Sequence, residues 1–421
     1  MPSAACPTLV PERRAALERV RALASERRPR HSLPQAFYCD EDVFAVDLER
    51  VFKRHWLFAG HVCQIPRRGD YFTWKVGADP LLIVRGADGA VHAHHNVCTH
   101  RGSILTDQAC GRAGKFVCPY HQWVFELDGR LASARHMPDD FEQPAYGLRP
   151  VHVRVLAGLI LVCLHESPPP FEPYAAAVEP FTAPYEMEKV KIACARRYEL
   201  RSNWKLITEN FRECYHCAGG HPEYCRAVLG SGTDHPVYVK DDRAAVWADR
   251  TAHWKRLGLA TGSVDFTRER WYHCNRYPFR PGFVSQTLDG KPCAPLLGRL
   301  PDRDVGVFAI VSYPQFWHES SSDYFITIRV TPISATRSDA DVCWYVREDA
   351  VEGRDYEPER VAAFWRATAE QDWKLGEDNQ AGILSSAYRP GPLGPIEDGI
   401  EIFLQWYLDQ VTEESYAPGP A

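Results

Sequence analysis

The stretch CTHRGSILTDQACGRAGKFVCPYHQW, residues 98–123, decides how this chain is read. Cys98 and His100 form a C-x-H, Cys118 and His121 form a C-x-x-H, and seventeen residues separate the two arms. Two thiols and two imidazoles are a familiar donor set for zinc. A zinc finger, however, groups like ligands, C-x-x-C followed by H-x3–5-H. Here each arm offers one sulfur and one nitrogen. That division suits a [2Fe–2S] cluster in which one iron takes both sulfurs and the other both nitrogens. Gly102 follows the first arm, and strand-forming runs flank the pair.

The surrounding chain is long and ordinary in composition. Its 421 residues can bury a large core and hold two domains. Hydrophobic content of 45% and charged content of 25% are those of a globular protein. A formal net charge of -6 gives no global pull toward nucleic acid or an anionic membrane, so neither is an expected partner. The greasiest run, VRVLAGLILVCL at 153–164, is too short to span a bilayer. MPSAACPTLVPERRAALERV has no apolar core followed by a cleavage site, and the fourteen cysteines show no repeating framework. The expectation is a reducing, cytoplasmic compartment.

Texture divides the chain in three. Residues 1–55 read as a helical lead-in, with PERRAALERVRALASERR polar and DEDVFAVDLERVFKRHW spaced to pack on the catalytic core. Residues 56–165 turn to short β-like runs punctuated by Gly and Asp (YFTWKV, PLLIVR, AVHAHHNV, WVFELDG), as an antiparallel sheet would. ESPPPFEPY breaks the pattern. Residues 166–421 mix strands (KVKIACARRYELRSN, VGVFAIVSYPQFWHE, DYFITIRVTPIS) with predicted helices WKLITENFRECYH, EPERVAAFWRATAEQDWKL and EIFLQWYLDQV. The fold class is α+β.

A second donor set lies in NWKLITENFRECYHCAGGHPEY, residues 203–224. His216 and His221 would diverge on an unbroken helix, but Gly219 and Gly220 can bend the chain so that the rings converge. Two imidazoles and one carboxylate make the facial triad of non-haem Fe(II), which leaves positions open for O2. Asp372, on a predicted helix with Glu370, Glu377 and Asp378, best matches the carboxylate. Competing readings are zinc held by His216 with Cys214 or Cys217, a loop role for His221, and a plain surface charge for Asp372.

The first motif resembles the Rieske pattern. Ser103 and Tyr120 stand near the places where respiratory Rieske proteins carry an extra cysteine pair, so the chain is similar to the soluble ferredoxin and oxygenase group. From about residue 30 to 410 it resembles the catalytic α subunit of a Rieske non-haem iron oxygenase. The likeness rests on Asn203, Trp204, Lys205, Glu209, Asn210, Glu213, His216, His221 and the E-Q-D ending at Asp372. It implies an antiparallel β Rieske domain followed by a helix-grip-like α+β catalytic domain with a central antiparallel sheet. It also implies a cluster on Cys98, His100, Cys118 and His121, a mononuclear iron on His216, His221 and Asp372, and catalytic roles for Glu213 and Asn210. It further implies a homotrimer in which electrons pass from His121 of one subunit through Glu213 to the iron of its neighbour. No dinucleotide fingerprint or plant-type ferredoxin cysteine set is present, so NAD(P)H would be oxidised by a separate flavin/iron–sulfur reductase.

Glutamate at position 213, where aromatic-ring dihydroxylating relatives carry aspartate, resembles the branch acting on quaternary ammonium compounds. HSLPQAFYCDEDVFAVDLERVFKRHWLFAGH, SQTLDGKPCAPLLG and the closing SSAYRPGP are similar to glycine betaine and proline betaine demethylases. Thr99, where those relatives commonly have arginine, is a departure. The implied reaction is O2-dependent hydroxylation of an N-methyl group, giving a demethylated amine and formaldehyde. Ring hydroxylation of an aromatic acid, another N- or O-demethylation, and a bare electron carrier are the alternatives. A quaternary ammonium needs aromatic faces, for which Trp247, Trp254, Trp271, Tyr272, Phe316 and Trp317 are candidates. Arg268, Arg270 and Arg276 are candidate partners for a betaine carboxylate.

Overall fold

The computed structural model describes residues 11–229 and 243–413. The chain forms two compact units, Phe52–Pro169 and a second made of Met1–Val51 with Pro170–Ala421. No helix among the described residues is long and apolar enough to cross a membrane.

The unit Phe52–Pro169 is antiparallel β throughout. Asp70–Val76 and Asp79–Arg85 pair across a turn at Gly77, whose φ of 59° suits a residue without a Cβ. Val91–His95 and Cys110–Arg112 complete a four-stranded sheet. A second sheet joins Leu57–His61, Leu159–Cys163 and His152–Leu156, and a third joins the short Phe116–Val117, Val124–Phe125 and Leu131–Ser133. Their apolar sides enclose Tyr71, Leu82, Val84, Phe116, Trp123 and Phe125, and this core also takes in Cys98 and Cys118.

The other unit is built on one antiparallel sheet of seven strands. These are β1 (Val190–Leu200), β2 (Ser263–Val264), β3 (Tyr272–Tyr277), β4 (Val307–Ser312), β5 (Phe316–Ser320), β6 (Phe325–Ser334) and β7 (Arg337–Arg347). Their order across the sheet is β1-β7-β6-β5-β4-β3-β2. Pro358–Ile383 is a 26-residue helix whose buried positions include Val361, Trp365, Thr368, Asp372, Gly376 and Gln380. That spacing of three and four is one face of an α-helix. This is the α+β architecture that the sequence predicts.

The helix predicted over 204–216 ends early, at Asn210. Asn203 caps it, accepting a hydrogen bond from the Lys205 N–H at 2.9 Å. The helix is buried from Trp204 to Glu209 and is held by side chains. Asp47 pairs with the Lys205 ammonium and accepts from Trp204 Nε1 at 3.0 Å and from Tyr407 at 2.6 Å. The Tyr38 hydroxyl donates to Glu209 at 2.9 Å. Trp204, Lys205 and Glu209 therefore anchor the helix. Beyond Asn210 the Glu213 carboxylate accepts the backbone N–H groups of Tyr215 and His216 and starts a new turn.

Candidate metal centres and cavity

In the β unit the two arms form matching loops. The Cys98 N–H donates to Ser103 O at 2.8 Å and the Gly102 N–H to Cys98 O at 3.0 Å. Likewise the Cys118 N–H donates to Trp123 O at 2.8 Å and the Gln122 N–H to Cys118 O at 3.0 Å. Each loop closes through a left-handed residue four places after its cysteine, Gly102 at φ 77° and Gln122 at φ 60°. The loops aim backbone N–H groups at the sulfurs, from His100 and Arg101 to Cys98, and from Tyr120 and His121 to Cys118. The His100 and His121 ring centres lie 4.6 Å apart. Among the described residues His100 Nδ1 is buried without a partner, and the Trp123 indole stacks on its ring at 4.6 Å. Two converging sulfurs, N–H donors for cluster sulfur and an orphaned imidazole nitrogen fit a Rieske centre. His121 is exposed.

In the other unit one donor atom from each of His216, His221 and Asp372 lies within 4.8 Å of the other two. His216 Nε2 is 3.1 Å from His221 Nε2, which is 2.8 Å from Asp372 Oδ1. The bend that allows this comes at His221, held out of the helical region (φ −129°, ψ 68°) because Pro222 follows it. Gly219 and Gly220 keep negative φ, contrary to the role expected of them; Gly220 instead lets Leu375 approach, since a Cβ there would meet it at 3.2 Å. Asp372 lies on the buried face of its helix and is 6% exposed, which removes the surface-charge reading.

Each ring is turned by its other nitrogen. His216 Nδ1 is bonded to Glu213, and His221 Nδ1 donates to Gln371 Oε1 at 2.8 Å. Gln371 in turn donates to Glu223 at 3.1 Å. Both imidazoles are thereby left with Nε2 toward Asp372, as metal-ligating histidines require. Burial lowers the proton affinity of His216, but Asp372 and Glu213 outweigh it and lift its pKa to about 10. The pocket favours positive charge, so the donor set fits a divalent iron. Asn210 lines the same pocket, and its Oδ1 is buried without a partner.

A cavity of about 500 Å³ adjoins the triad and shares Phe211, Glu213, Cys214, Tyr224, Trp317 and Glu319 with its pocket. Strand pairing explains its floor. Successive residues on a strand point to opposite faces, so His273, Asn275 and Tyr277 of β3 line it. Across the sheet His273 pairs Val311, which pairs Trp317; Asn275 pairs Ala309, which pairs Glu319. Glu319 is fully buried and accepts from Gln286 at 2.6 Å and Tyr224 at 3.3 Å. Burial raises its pKa to about 7, against hydrogen bonds that lower it.

Of the aromatic candidates, Trp247 and Trp317 line this cavity. Tyr272 and Phe316 have the wrong strand parity, Trp271 stacks on Tyr174 at 4.9 Å, and Trp254 is tied to Asp304 O at 3.0 Å. The three arginine candidates are engaged elsewhere. Arg268 pairs with Asp409, Arg270 donates to Asp265 O, and Arg276 donates to Ala260 O, Val305 O and Tyr185. Sequence reading missed Phe211, Tyr224, Phe266, Tyr277, Glu319, Gln371 and Arg212. The alternation in YHCNRY was the one signal that pointed toward this wall.

Residues 187–413 match the family of ring hydroxylating alpha subunits (catalytic domain), and residues 55–151 match the Rieske [2Fe-2S] domain. The chain belongs to the Rieske non-haem iron oxygenases, oxidoreductases that carry a Rieske cluster and a mononuclear iron. It is 41% identical over 400 residues to the glycine betaine monooxygenase oxygenase subunit of Chromohalobacter salexigens, covering 94% of this chain and 89% of that one. It is 40% identical to the protein of the same description from Pseudomonas aeruginosa, covering 97% and 95%. A crystallised quaternary ammonium Rieske monooxygenase, studied for carnitine oxidation and inter-subunit electron transfer, shares the fold. Its TM-score is 0.70 at 22% identity, covering 96% of this chain and 99% of that chain.

Proposed function

We propose that this chain is the oxygenase component of a system that hydroxylates an N-methyl group of a quaternary ammonium compound. The observation that carries the reading is the cavity beside the triad. Its lining includes the aromatic side chains of Tyr224, Tyr277 and Trp317 and the buried acid Glu319. A quaternary ammonium cannot donate N–H hydrogen bonds, so ring faces and a nearby carboxylate are what hold it. The two relatives near 40% identity, named as glycine betaine monooxygenase subunits, support the same substrate class.

The substrate, O2, two electrons and two protons give the N-hydroxymethyl ammonium and water. The hydroxymethyl compound then breaks its C–N bond, releasing formaldehyde, a proton and the demethylated amine. The family's mononuclear iron supplies O2 activation. His216, His221 and Asp372 would hold it, while Glu213 and the Gln371–Glu223 pair fix the two rings. Glu319 and the ring faces bring the cationic head to the triad side. Electrons come from NAD(P)H through a separate reductase. They cross from His121 of one subunit, by way of Glu213, to the triad of a neighbour in a homotrimer; light scattering should return three times the chain mass.

With a compatible reductase, glycine betaine should drive O2 uptake matched one to one by formaldehyde and dimethylglycine. Formaldehyde and amine must both be measured, because peroxide release also consumes O2. A hydroxylated ring from an aromatic acid, with no product from any N-methyl compound, overturns the substrate class and leaves the enzyme class standing.

A further inference from the structure

The cavity wall contains a cation that forms no ion pair among the described residues. Arg212 follows the helix Trp204–Asn210 and lines the cavity. Its peptide is clamped by the C-terminal helix, since a Cβ on Gly399 would lie 2.2 Å from the Arg212 carbonyl oxygen. The guanidinium sits 4.6 Å from the centre of the Phe266 ring and 5.5 Å from that of Trp317. Nε and Nη2 donate to the adjacent Phe211 carbonyl at 2.9 and 2.6 Å. A guanidinium carries five N–H donors; the Phe211 carbonyl takes two, and the Tyr313 side chain also lies against the group. Among the described residues no carboxylate pairs with it, and burial pulls its pKa down. A half-buried charge without an ion-pair partner is favoured when a ligand supplies the opposite charge.

The cavity is also polar end to end. Glu319 lines both the cavity and the triad pocket, whereas Arg212 lines the cavity and not the triad pocket. Glu319 therefore lies on the side of the metal donors and Arg212 away from them; Asp265, which also lines the cavity and not the triad pocket, is engaged by His273 at 3.2 Å and by the Ser263 hydroxyl. A ligand with a positive head and a negative tail has one favourable direction in such a field, head toward the triad.

We propose that Arg212 is the carboxylate anchor of this cavity, so that the substrate is a zwitterion lying with its carboxylate on the guanidinium and its N-methyl groups toward the triad. The inference rests on the quaternary-ammonium reading and narrows it from N-methylated cations in general to betaines. It replaces Arg268, Arg270 and Arg276 in that role. Arg276 alternates with Asn275 and Tyr277 along β3 and so faces the other side of the sheet. The planar fork of arginine suits a carboxylate better than a lysine would.

The test is calorimetric titration of the anaerobic holoenzyme with glycine betaine and with choline, which shares the trimethylammonium head and lacks the carboxylate. The wild-type enzyme should bind the betaine more tightly. In Arg212→Gln the affinity ratio of betaine to choline should fall about 100-fold, the scale of a lost hydrogen bond between charged groups. Glu319→Gln should instead weaken both ligands together and leave the ratio near its wild-type value. Iron and sulfide content check that each variant is assembled. If Arg212→Gln fails to assemble, Arg212→Lys should give an intermediate ratio. A ratio untouched by both Arg212 substitutions, with both ligands bound, overturns the anchor and spares the quaternary-ammonium reading. A wild-type enzyme that binds neither ligand overturns that reading and the anchor with it.

Discussion

In the β unit four donors come from two loops of one short segment, Cys98 to His121. In the catalytic unit His221 and Asp372 stand 151 positions apart in sequence. The first set is held by backbone N–H groups and matched turns, and its outer histidine, His121, is exposed. The second is held by side chains from three places, Glu213, Gln371 and Glu223, and His221 and Asp372 are 3% and 6% exposed at their side chains. A cradle of backbone groups needs few particular neighbours, so it can sit at a surface. The dispersed set lies deeper, and side chains from distant elements turn its two rings.

The sharpest way to break the contrast is to remove one donor from the dispersed set. Asp372→Asn should lose the mononuclear iron and reduce coupled turnover by roughly 1000-fold or more. The Rieske EPR signal should persist in that variant, because no donor of the compact set is touched. Loss of both centres together would show that the two sets are not independent. A smaller effect is expected at the orienting groups. Glu213→Gln should retain both centres yet slow turnover by about 10- to 100-fold, the usual cost of losing a group that orients a metal-bound imidazole. Single-turnover oxidation of the reduced cluster is the readout, and a wild-type rate there would remove Glu213 from the electron path.

The smallest expected effect lies in stability against pH, where the two units should respond with opposite sign. In the β unit burial lowers the pKa of His94, beneath the Leu127 carbonyl, to about 4. An unfolded histidine takes its proton near pH ~6.5, so this contribution is whole above that pH and is lost as pH falls toward 4. In the catalytic unit burial raises the Glu209 pKa to about 7, against Tyr38 and Lys205, which lower it. The unfolded carboxyl ionises near pH ~4.3. Its contribution is whole below that pH and is lost as pH rises toward 7. Each group sets a slope of at most about 1.4 kcal/mol per pH unit. His94→Asn should flatten the acid-side loss read by cluster bleaching, and Glu209→Gln the loss toward neutral pH read by thermal melts. Equal effects of both variants on both signals would erase the contrast.

How much was legible follows from how far each feature depends on other parts of the chain. The cysteines and histidines of the compact loops announce themselves because sequence neighbours are also spatial neighbours there. The long helix was readable as far as Leu375, whereas in the structure it runs on to Ile383, and its spacing puts Asp372 on the buried face while Glu370 and Asp378 are exposed. The early end of the helix at Asn210 was not readable, since WKLITENFRECYH keeps helical spacing. The stop becomes visible only when the Glu213 carboxylate is seen capping the next turn.

By itself the sequence determined the donor types, their local spacing and the passage from short β-like runs to mixed strands and helices. These depend on residue identity and on periods that the chain carries along its own length. Only the tertiary structure decided which charges face the cavity. Asn275 and Arg276 are adjacent in sequence and lie on opposite faces of β3, because pairing register chooses which parity is turned inward. Glu319 faces the cavity with Asn275 because β5 pairs Glu319 with Ala309 of β4, which pairs Asn275. Arg212 lines the same cavity with its peptide packed against Gly399 of a helix far downstream in the chain. Burial, register and close approach are properties of packed neighbours, and no window of sequence contains them.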